Sequence, residues 1–476
     1  MKWPKSVVSW LYRLVDLFWT LTPLLVLGAL SILLLSSAFS SQIRGALRRQ
    51  PSSTSLTWCL LMALLLGQVL AAAVERRETG ASPLLEVSFV GPLLGKVAGN
   101  QRLDLMLLMM SVVVITRAAV VRSLRERGHS GPAASLLLGF VVLTTLVTAF
   151  NAEGLAAQDW VPFLAVATSG VAILLSAGSL TTWLLDRALV IVAVVILVLS
   201  YWVLAVGQAW ATTSVWTGGF IEGPRYQGIF PQPNVAGAVF ACLAAYATCA
   251  GSWSKVGRFL VATSALYLVM LTGSRGAILI LIGAGLYAAW LHRQRPLARA
   301  ALASLLALSA LVPFTRISDY QSINGRDVTW RAAEALIVSR PVLGQGIFPR
   351  VGATEGRTAV YAHNQVLQTL VETGILGLLI LVVAVWLVGR RLASSDTSLP
   401  FAAIFFGVVA TFPIENPVRM FELPFAFLLS LFLLSVTAVE SPRGTVDQSE
   451  SHRRSSSSRY DHPRDFSDLG MEADRR

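Results

Sequence analysis

Charged residues are scarce in this chain. Only 13% of its 476 residues are Asp, Glu, Lys or Arg, about half the share that a soluble protein carries. Hydrophobic residues make up 55% of the chain. This balance excludes an ordinary soluble domain and predicts an integral membrane protein.

Cysteines and several familiar catalytic motifs are also rare or missing. The three cysteines, Cys59, Cys242 and Cys249, lie in apolar stretches without zinc-ligand spacing, so we interpret them as small hydrophobic residues. The sequence has no Asp-x-Asp pair, His-Glu-x-x-His, Walker loop or Gly-x-Ser-x-Gly motif. These absences leave two possibilities open. One is a reaction on a lipid-linked donor that needs no metal or cofactor, and the other is a transporter that catalyses no reaction.

Long apolar runs recur along the chain, and each approaches the roughly 18–20 residues that cross a bilayer as a helix. The segment 81–100 is a weaker candidate, because Pro83, Pro92 and Lys96 interrupt it. We predict an all-α integral membrane protein with about 12–14 transmembrane helices in residues 1–439. No cleavable signal peptide is evident. The runs lie near 18–39, 56–74, 103–121, 133–150, 161–179, 188–208, 234–250, 257–272, 276–291, 299–315, 363–388, 399–414 and 421–438.

Basic residues cluster in a few connections, which the positive-inside rule assigns to the cytoplasm. Counting spans from these clusters puts 151–160, 211–233, 272–275, 316–362 and 414–421 on the outer side. The polar tail, residues 440–476, cannot bury enough apolar surface to fold, so we predict a disordered cytoplasmic segment. The basic clusters are Arg44, Arg48 and Arg49; Arg117, Arg122, Arg125 and Arg127; Lys255 and Arg258; Arg293, Arg295 and Arg299; and Arg390 and Arg391.

A long polar loop, about residues 316–362, must leave the hydrocarbon, and long ordered loops are usually functional. His363 follows it and is the only one of five histidines that we predict on the outer side. Near neutral pH an imidazole can act as a general base or hydrogen-bond a reacting hydroxyl. The alternative is a helix-start residue at the water interface.

Two arginines lie between glycines at the predicted outer ends of apolar spans. Arg225 is in the run 223–234, Gly-Pro-Arg-Tyr-Gln-Gly-Ile-Phe-Pro-Gln-Pro-Asn, and Arg275 is in the run 272–276, Thr-Gly-Ser-Arg-Gly. The planar guanidinium suits bidentate phosphate recognition, so we predict an anionic ligand such as a lipid pyrophosphate. The alternative is that such arginines pair with acids or extend to lipid headgroups.

Residues 327–340 predict an amphipathic helix that ends before Pro341. Its apolar face, with Val328, Ala332, Ala335 and Leu336, is expected to lie on the outer leaflet. The more specific alternative is that this helix gates access to a lipid-facing groove.

Further along the chain, Thr373-Gly374 can break the next helix, and Glu372 is then most simply a helix-end or interface residue.

Three blocks together resemble the O-antigen ligase and polymerase family of membrane glycosyltransferases. The first two are the runs that contain Arg225 and Arg275. The third reads Gly325-Arg326-x3-Trp330, then Pro341-x2-Gly344-x-Gly346, His363-Asn364, and Leu370-x-Glu372-x-Gly374-x2-Gly377. The resemblance covers roughly residues 220–390, and it depends on the order and spacing of motifs that are individually weak.

The resemblance implies a GT-C-like helical fold with a large extracytoplasmic loop in the bacterial cytoplasmic membrane. It implies metal-independent transfer of a glycan from undecaprenyl pyrophosphate to an acceptor, at a site facing the periplasm or cell exterior. In that reaction Arg225 and Arg275 would bind the pyrophosphate, and Arg326 would hold the donor or order the loop. His363 would be catalytic, with Trp330, Asn364 and Glu372 in support.

Three functions stay open from the sequence. The leading one is a glycan ligase whose acceptor is a lipid, a protein or another glycan; the near alternative is a polymerase that joins lipid-linked repeat units. A transporter of an anionic solute would instead place ionisable residues at mid-membrane, and the sequence shows few there. Membrane lipids are expected partners, and nucleic acid is not.

Overall fold

The computed structural model describes residues 52–75, 107–109, 111–115, 131–151, 157–177, 180–205, 212–213, 224–230, 232–250, 253–288, 300, 304, 326–347, 362–392, 399–418 and 423–440. Within these ranges the regular structure is helical apart from one two-stranded antiparallel pair, β1 (Thr212–Thr213) and β2 (Arg225–Tyr226). The helices are α1 (Ser52–Glu75), α2 (Pro132–Phe150), α3 (Ala157–Ala177), α4 (Thr182–Ala205), α5 (Pro233–Cys249), α6 (Lys255–Thr272), α7 (Arg275–Leu286), α8 (Arg326–Ser339), α9 (Gln365–Leu392), α10 (Leu399–Ala410) and α11 (Leu423–Glu440).

Five helical stretches in the described residues are long and apolar enough to cross a membrane: 132–150, 160–177, 182–205, 255–272 and 365–392. Five shorter apolar helices accompany them. The prediction of a mostly helical membrane protein is therefore confirmed, while the full span count and the GT-C likeness stay predictions. The predicted span at 18–39 and the tail beyond residue 440 lie outside the described residues.

Helix α5 is central to the bundle and packs against α6, α7 and α10. Its sequence is rich in alanine, and nearly all of it is buried. Small side chains let helices approach closely, and this compensates for the weak hydrophobic drive between helices in lipid. Around this centre, α9 packs along α2, and α11 packs against α1, α3 and α10.

The run 272–276 forms a tight joint between α6 and α7. Helix α6 ends at Gly273, which takes the left-handed conformation with φ 57°, and α7 begins where the Ser274 side chain accepts from the amide of Ala277 at 3.3 Å. A Cβ at Gly237 of α5 would lie 2.6 Å from the Cβ of Ser274, so α5 fixes the joint. Arg275 is thereby held as the first residue of α7.

Helix α9 is kinked at Gly374, where φ is 64° and ψ is −163°, as the Thr373-Gly374 pair predicts. The turn that follows α8 satisfies the backbone groups that the kink frees. The amide of Gln345 donates to the carbonyl of Val371 at 2.7 Å, and the amide of Ile375 donates to the carbonyl of Pro341 at 2.9 Å. The kink is thus a built feature of the fold, with its polar groups paired.

Two glycines of that turn make the contact possible. Gly344 and Gly346 have φ of 72° and 78°, which side-chain-bearing residues rarely adopt. A Cβ on Gly344 would lie 2.6 Å from the carbonyl carbon of Glu372, and one on Gly346 would lie 2.9 Å from the Cα of Thr148 in α2. The Gly-x-Gly part of the third block therefore joins α8, α9 and α2.

Helix α8 begins and ends close to its predicted limits, but its packing differs from the expectation of a helix lying on the membrane. Its buried side faces α9, where the indole of Trp330 and the side chains of Ala333 and Leu336 pack against Leu367 and Val371. Ala335, expected in the apolar face, is exposed. The predicted face was only partly right: Leu336 is buried, but the buried side also includes Trp330 and Ala333, which pack against α9.

Candidate functional site

His363 immediately precedes α9 and has a φ of 46°; it is the one non-glycine residue with positive φ in the described part of the chain. Its neighbours hold this uncommon backbone in place. The indole Nε1 of Trp330 donates to the carbonyl of Ala362 at 2.6 Å, and Asn364 donates its Nδ2 to the carbonyl of Pro413 at 3.0 Å. Backbone strain that is fixed from both sides is a feature of functional positions. Trp330 and Asn364 thus bond to the backbone on either side of His363, and their supporting role in the site stays a prediction.

Glu415 faces His363 from the turn between α10 and α11. Its Oε2 lies 3.6 Å from the Nδ1 of His363, and the two side chains are 21% and 34% exposed. Residues 414–421 are predicted on the same side as His363, but Glu415 is not among the predicted site residues. It is the functional candidate that sequence reasoning missed, although an acidic residue between Pro413 and Pro417 at the end of an apolar run was a usable signal.

A chain of polar contacts connects this pair to Arg225. The guanidinium of Arg225 donates from Nε to the carbonyl of Thr272 at 2.7 Å and from Nη2 to the Oδ1 of Asn234 at 2.8 Å. Asn234 in turn donates from Nδ2 to the Oε1 of Glu415 at 3.4 Å. Arg225, Asn234, Glu415 and His363 come from four separate segments, and the fold brings them together at one end of the bundle.

Arg275 adds a second positive charge next to Arg225. Its side chain is exposed and makes no hydrogen bond or ion pair with the residues that the structure describes. Burial lowers the pKa of the Arg225 guanidinium; the Glu415 carboxylate opposes that shift and Arg275 adds to it. An arginine titrates far above neutral pH, so Arg225 stays charged despite this shift. The two arginines lie beside the amino end of α7, where positive partial charge adds to theirs.

A pocket adjoins these groups. Its polar side is formed by Gln232, Asn234, His363 and Glu415, and its apolar side by Val235 and Leu428. Gly276 belongs to the same wall, and a Cβ there would lie 3.3 Å from the Cγ of Glu415. Glycine at 276 therefore lets the carboxylate approach the start of α7.

Two other predicted site residues, Arg326 and Glu372, are not part of this chain of contacts. Arg326 begins α8, but its side chain lies outside what the structure describes, so its role stays a prediction. Glu372 is buried next to the kink rather than at an interface, and it accepts from the Nε2 of Gln368 at 2.7 Å. Glu372 therefore lies in the protein interior and does not line the pocket.

The fold defines the class of protein, because several helices are apolar enough to span a membrane: it is a polytopic membrane protein. A His–Glu pair and two arginines lie at one end of the bundle and form a polar site suited to an anionic ligand. Residues 259–382 match the family model described as O-antigen ligase. The match to this segment confirms the resemblance drawn from the motifs. The block around Arg225 precedes the matched segment. Comparison with curated proteins and with solved structures gives no match.

Proposed function

We propose that the protein is a metal-independent glycan ligase. It would transfer a polysaccharide from undecaprenyl pyrophosphate to an acceptor hydroxyl at the outer face of the bacterial cytoplasmic membrane. The observation that carries the proposal is the contact chain from His363 through Glu415 and Asn234 to Arg225, because it joins a proton acceptor to an anion-binding pair. The family match over 259–382 supports a glycan ligase or polymerase.

His363 would act on the acceptor. With Glu415 at the Nδ1 side, Nε2 is the nitrogen left to take the proton from the acceptor hydroxyl. The hydroxyl oxygen attacks the anomeric carbon of the donor sugar as the bond from that carbon to the pyrophosphate oxygen breaks. The bonding electrons leave with the lipid pyrophosphate, and the glycosidic bond forms. Glu415 would orient the imidazole and stabilise the imidazolium that results.

Arg225 and Arg275 would bind the pyrophosphate and stabilise the charge that grows on it. Contacts to Thr272 and Asn234 hold the guanidinium of Arg225 rigidly, while Arg275 is open to a ligand. A fixed and a free cation together suit a diphosphate, whose two groups need more than one guanidinium. The pocket next to His363 would then take the acceptor.

The test is replacement of each group in the full chain. His363→Ala and Arg225→Ala are expected to lower glycan transfer by on the order of 100- to 10,000-fold, since each removes a group acting on the reacting atoms. Arg258→Ala, on α6 away from the site, is the matched control. Surface glycan and membrane insertion are measured together. Normal transfer in both site variants would refute the catalytic assignment.

The ligase and polymerase alternatives share a donor site and are separated by what accumulates without the protein. Gel analysis of lipid-linked glycan in a deletion strain should show long unattached polymer for a ligase and single repeat units for a polymerase. For a transporter, purified protein supplied with lipid-linked donor and acceptor would form no glycosidic bond.

A further inference from the structure

The first part of α9 buries a row of polar side chains in an otherwise apolar chain. Gln365, Gln368, Thr369 and Glu372 are each at most 1% exposed. Their spacing of three and four residues puts them along one side of the helix. Polar groups are costly in a membrane protein interior and usually serve a purpose. The row therefore needs an explanation beyond packing.

Gln368 makes the informative contacts in this row. Its Oε1 accepts from the amide of Ala362 at 3.0 Å and from the Nδ2 of Asn416 at 3.1 Å. Ala362 immediately precedes His363, and Asn416 immediately follows Glu415. One amide oxygen thus ties together the two segments that carry the facing imidazole and carboxylate.

Glu372 fixes the orientation of that amide. An amide nitrogen only donates hydrogen bonds, and the Nε2 of Gln368 donates to the Oε1 of Glu372 at 2.7 Å. The amide nitrogen is therefore directed toward Glu372 and the oxygen toward Ala362 and Asn416. Rotation of the amide by half a turn would place its nitrogen against the two donors of Ala362 and Asn416, and its oxygen against the carboxyl oxygen of Glu372.

We propose that Gln368 is a positioning residue that sets the separation of His363 and Glu415, and that Glu372 holds Gln368 in the required orientation. Its kinetic consequence depends on the proposed transfer reaction. The residue touches neither donor nor acceptor; it acts through the backbone before His363 and the side chain after Glu415. A further consequence is that Glu372 supports the site from the interior, without reaching it.

Gln365 provides a matched control. It is as buried as Gln368 and belongs to the same row. Its Oε1 accepts from the amide of Val418 at 3.0 Å, and its Nε2 donates to Thr369 at 3.2 Å. Nε2 also donates to the carbonyl of Val418 at 3.3 Å. These bonds fasten the start of α9 to Val418, three residues beyond Glu415, whereas Gln368 bonds to the residues directly next to His363 and Glu415.

The first experiment compares Gln368→Met with Gln365→Met, since methionine keeps the length but loses the amide. We expect kcat for transfer to fall roughly 10- to 100-fold in Gln368→Met, because small misplacements of a reacting group have effects of this size. The KM for the donor should be unchanged, because Arg225 and Arg275 are untouched. Gln365→Met should keep kcat near wild type. Equal losses of kcat in the two variants would refute positioning.

The second experiment reverses the pair. In Gln368→Glu combined with Glu372→Gln, the carboxylate at 368 can accept from Ala362 and Asn416, and the new amide at 372 can donate to it. This double variant should recover most of the kcat lost in Gln368→Met. Gln368→Met combined with Glu372→Gln should not. Failure of the reversed pair to recover activity counts against the proposal.

A third measurement does not depend on activity. Cysteines replacing His363 and Glu415, in a Cys59→Ser and Cys249→Ser background, should be joined by a short bifunctional thiol cross-linker that spans the gap left by the two longer side chains. Adding Gln368→Met should slow that reaction, and adding Gln365→Met should not. If cross-linking responds in this way but the native site transfers no glycan, the proposed function fails and the positioning role stands. If transfer occurs and Gln368→Met changes neither readout, the positioning role fails.

Discussion

The two ends of the helical bundle each contain a carboxylate, and the two are treated in opposite ways. At the end opposite His363, Asp186 of α4 is buried and accepts from the hydroxyl of Tyr246 in α5. The ring of Tyr246 is flanked by Trp253 and Phe401, with centroids 5.9 and 5.7 Å away. At the site end, Glu415 is partly exposed and lies among charged and titratable groups.

This difference distinguishes a buried polar group that serves helix packing from a polar group that belongs to a candidate site. The buried carboxylate of Asp186 accepts from a neutral donor whose own ring is packed against two aromatic rings, so it stabilises helix packing. Its neighbour Arg187 has its guanidinium stacked 5.3 Å from the ring centroid of Trp183. Around Arg225, by contrast, one carboxylate, Glu415, is accompanied by a second guanidinium, Arg275, which leaves positive charge for a ligand. A cluster whose charges do not balance one another is a better indicator of a ligand site than a carboxylate whose hydrogen bond is already satisfied.

Glu415→Gln should have the largest effect on this contrast. It removes the charge opposite the Nδ1 of His363 but keeps the side-chain shape. We expect kcat to fall roughly 100- to 1,000-fold, since an unsupported imidazole is a poorer base. The KM for the donor should not rise, because the positive charge of the two arginines is no longer opposed. Steady-state kinetics with purified lipid-linked donor measures both.

Asn234→Ala is the matched control for this prediction, since it removes the link between Arg225 and Glu415 and leaves the His363–Glu415 pair. Its kcat loss should be much smaller. A Glu415→Gln enzyme with wild-type kcat would show that Glu415 is a structural residue like Asp186.

Local signals in the sequence were sufficient for part of this site. Glycines beside Arg225 and Arg275, and the outward placement of His363, selected three of the residues that the fold gathers. The break at Gly374 was likewise predictable, because only glycine adopts such a conformation readily. Each of these features depends on the residue and its immediate neighbours.

The rest depends on contacts between distant segments. Glu415 acquires its significance only when the turn after α10 meets His363, and Gln368 only when it bonds to residues 362 and 416. The face of α8 was misjudged for the same reason, since helical periodicity does not say whether protein or lipid will cover an apolar side. One hint for Gln368 was present: the spacing of Gln365, Gln368 and Glu372 marks a polar row on a predicted span.

Arg275→Gln should have an intermediate effect, and on a different parameter. Because Arg275 is exposed and unpaired among the described residues, its loss should leave folding intact and weaken binding of the pyrophosphate. We expect the KM for the donor to rise roughly 10- to 100-fold, the range for a hydrogen bond to a charged group. Arg275→Lys should recover only part of this, since lysine cannot bind bidentately. A loss confined to kcat would contradict this assignment.

Tyr246→Phe should have the smallest effect on catalysis and a measurable one on stability. The change removes the hydroxyl that donates to Asp186 and leaves the aromatic packing with Trp253 and Phe401 in place. The free energy of unfolding should fall by about 1–3 kcal/mol, the cost of a buried acceptor that loses its donor, while kcat of the folded protein stays at the wild-type value. Thermal unfolding in detergent, measured beside the transfer rate, checks both parts. A fall in kcat without loss of stability would mean that the end opposite His363 communicates with the site, and that a closed, satisfied carboxylate is not a sufficient mark of a purely structural role.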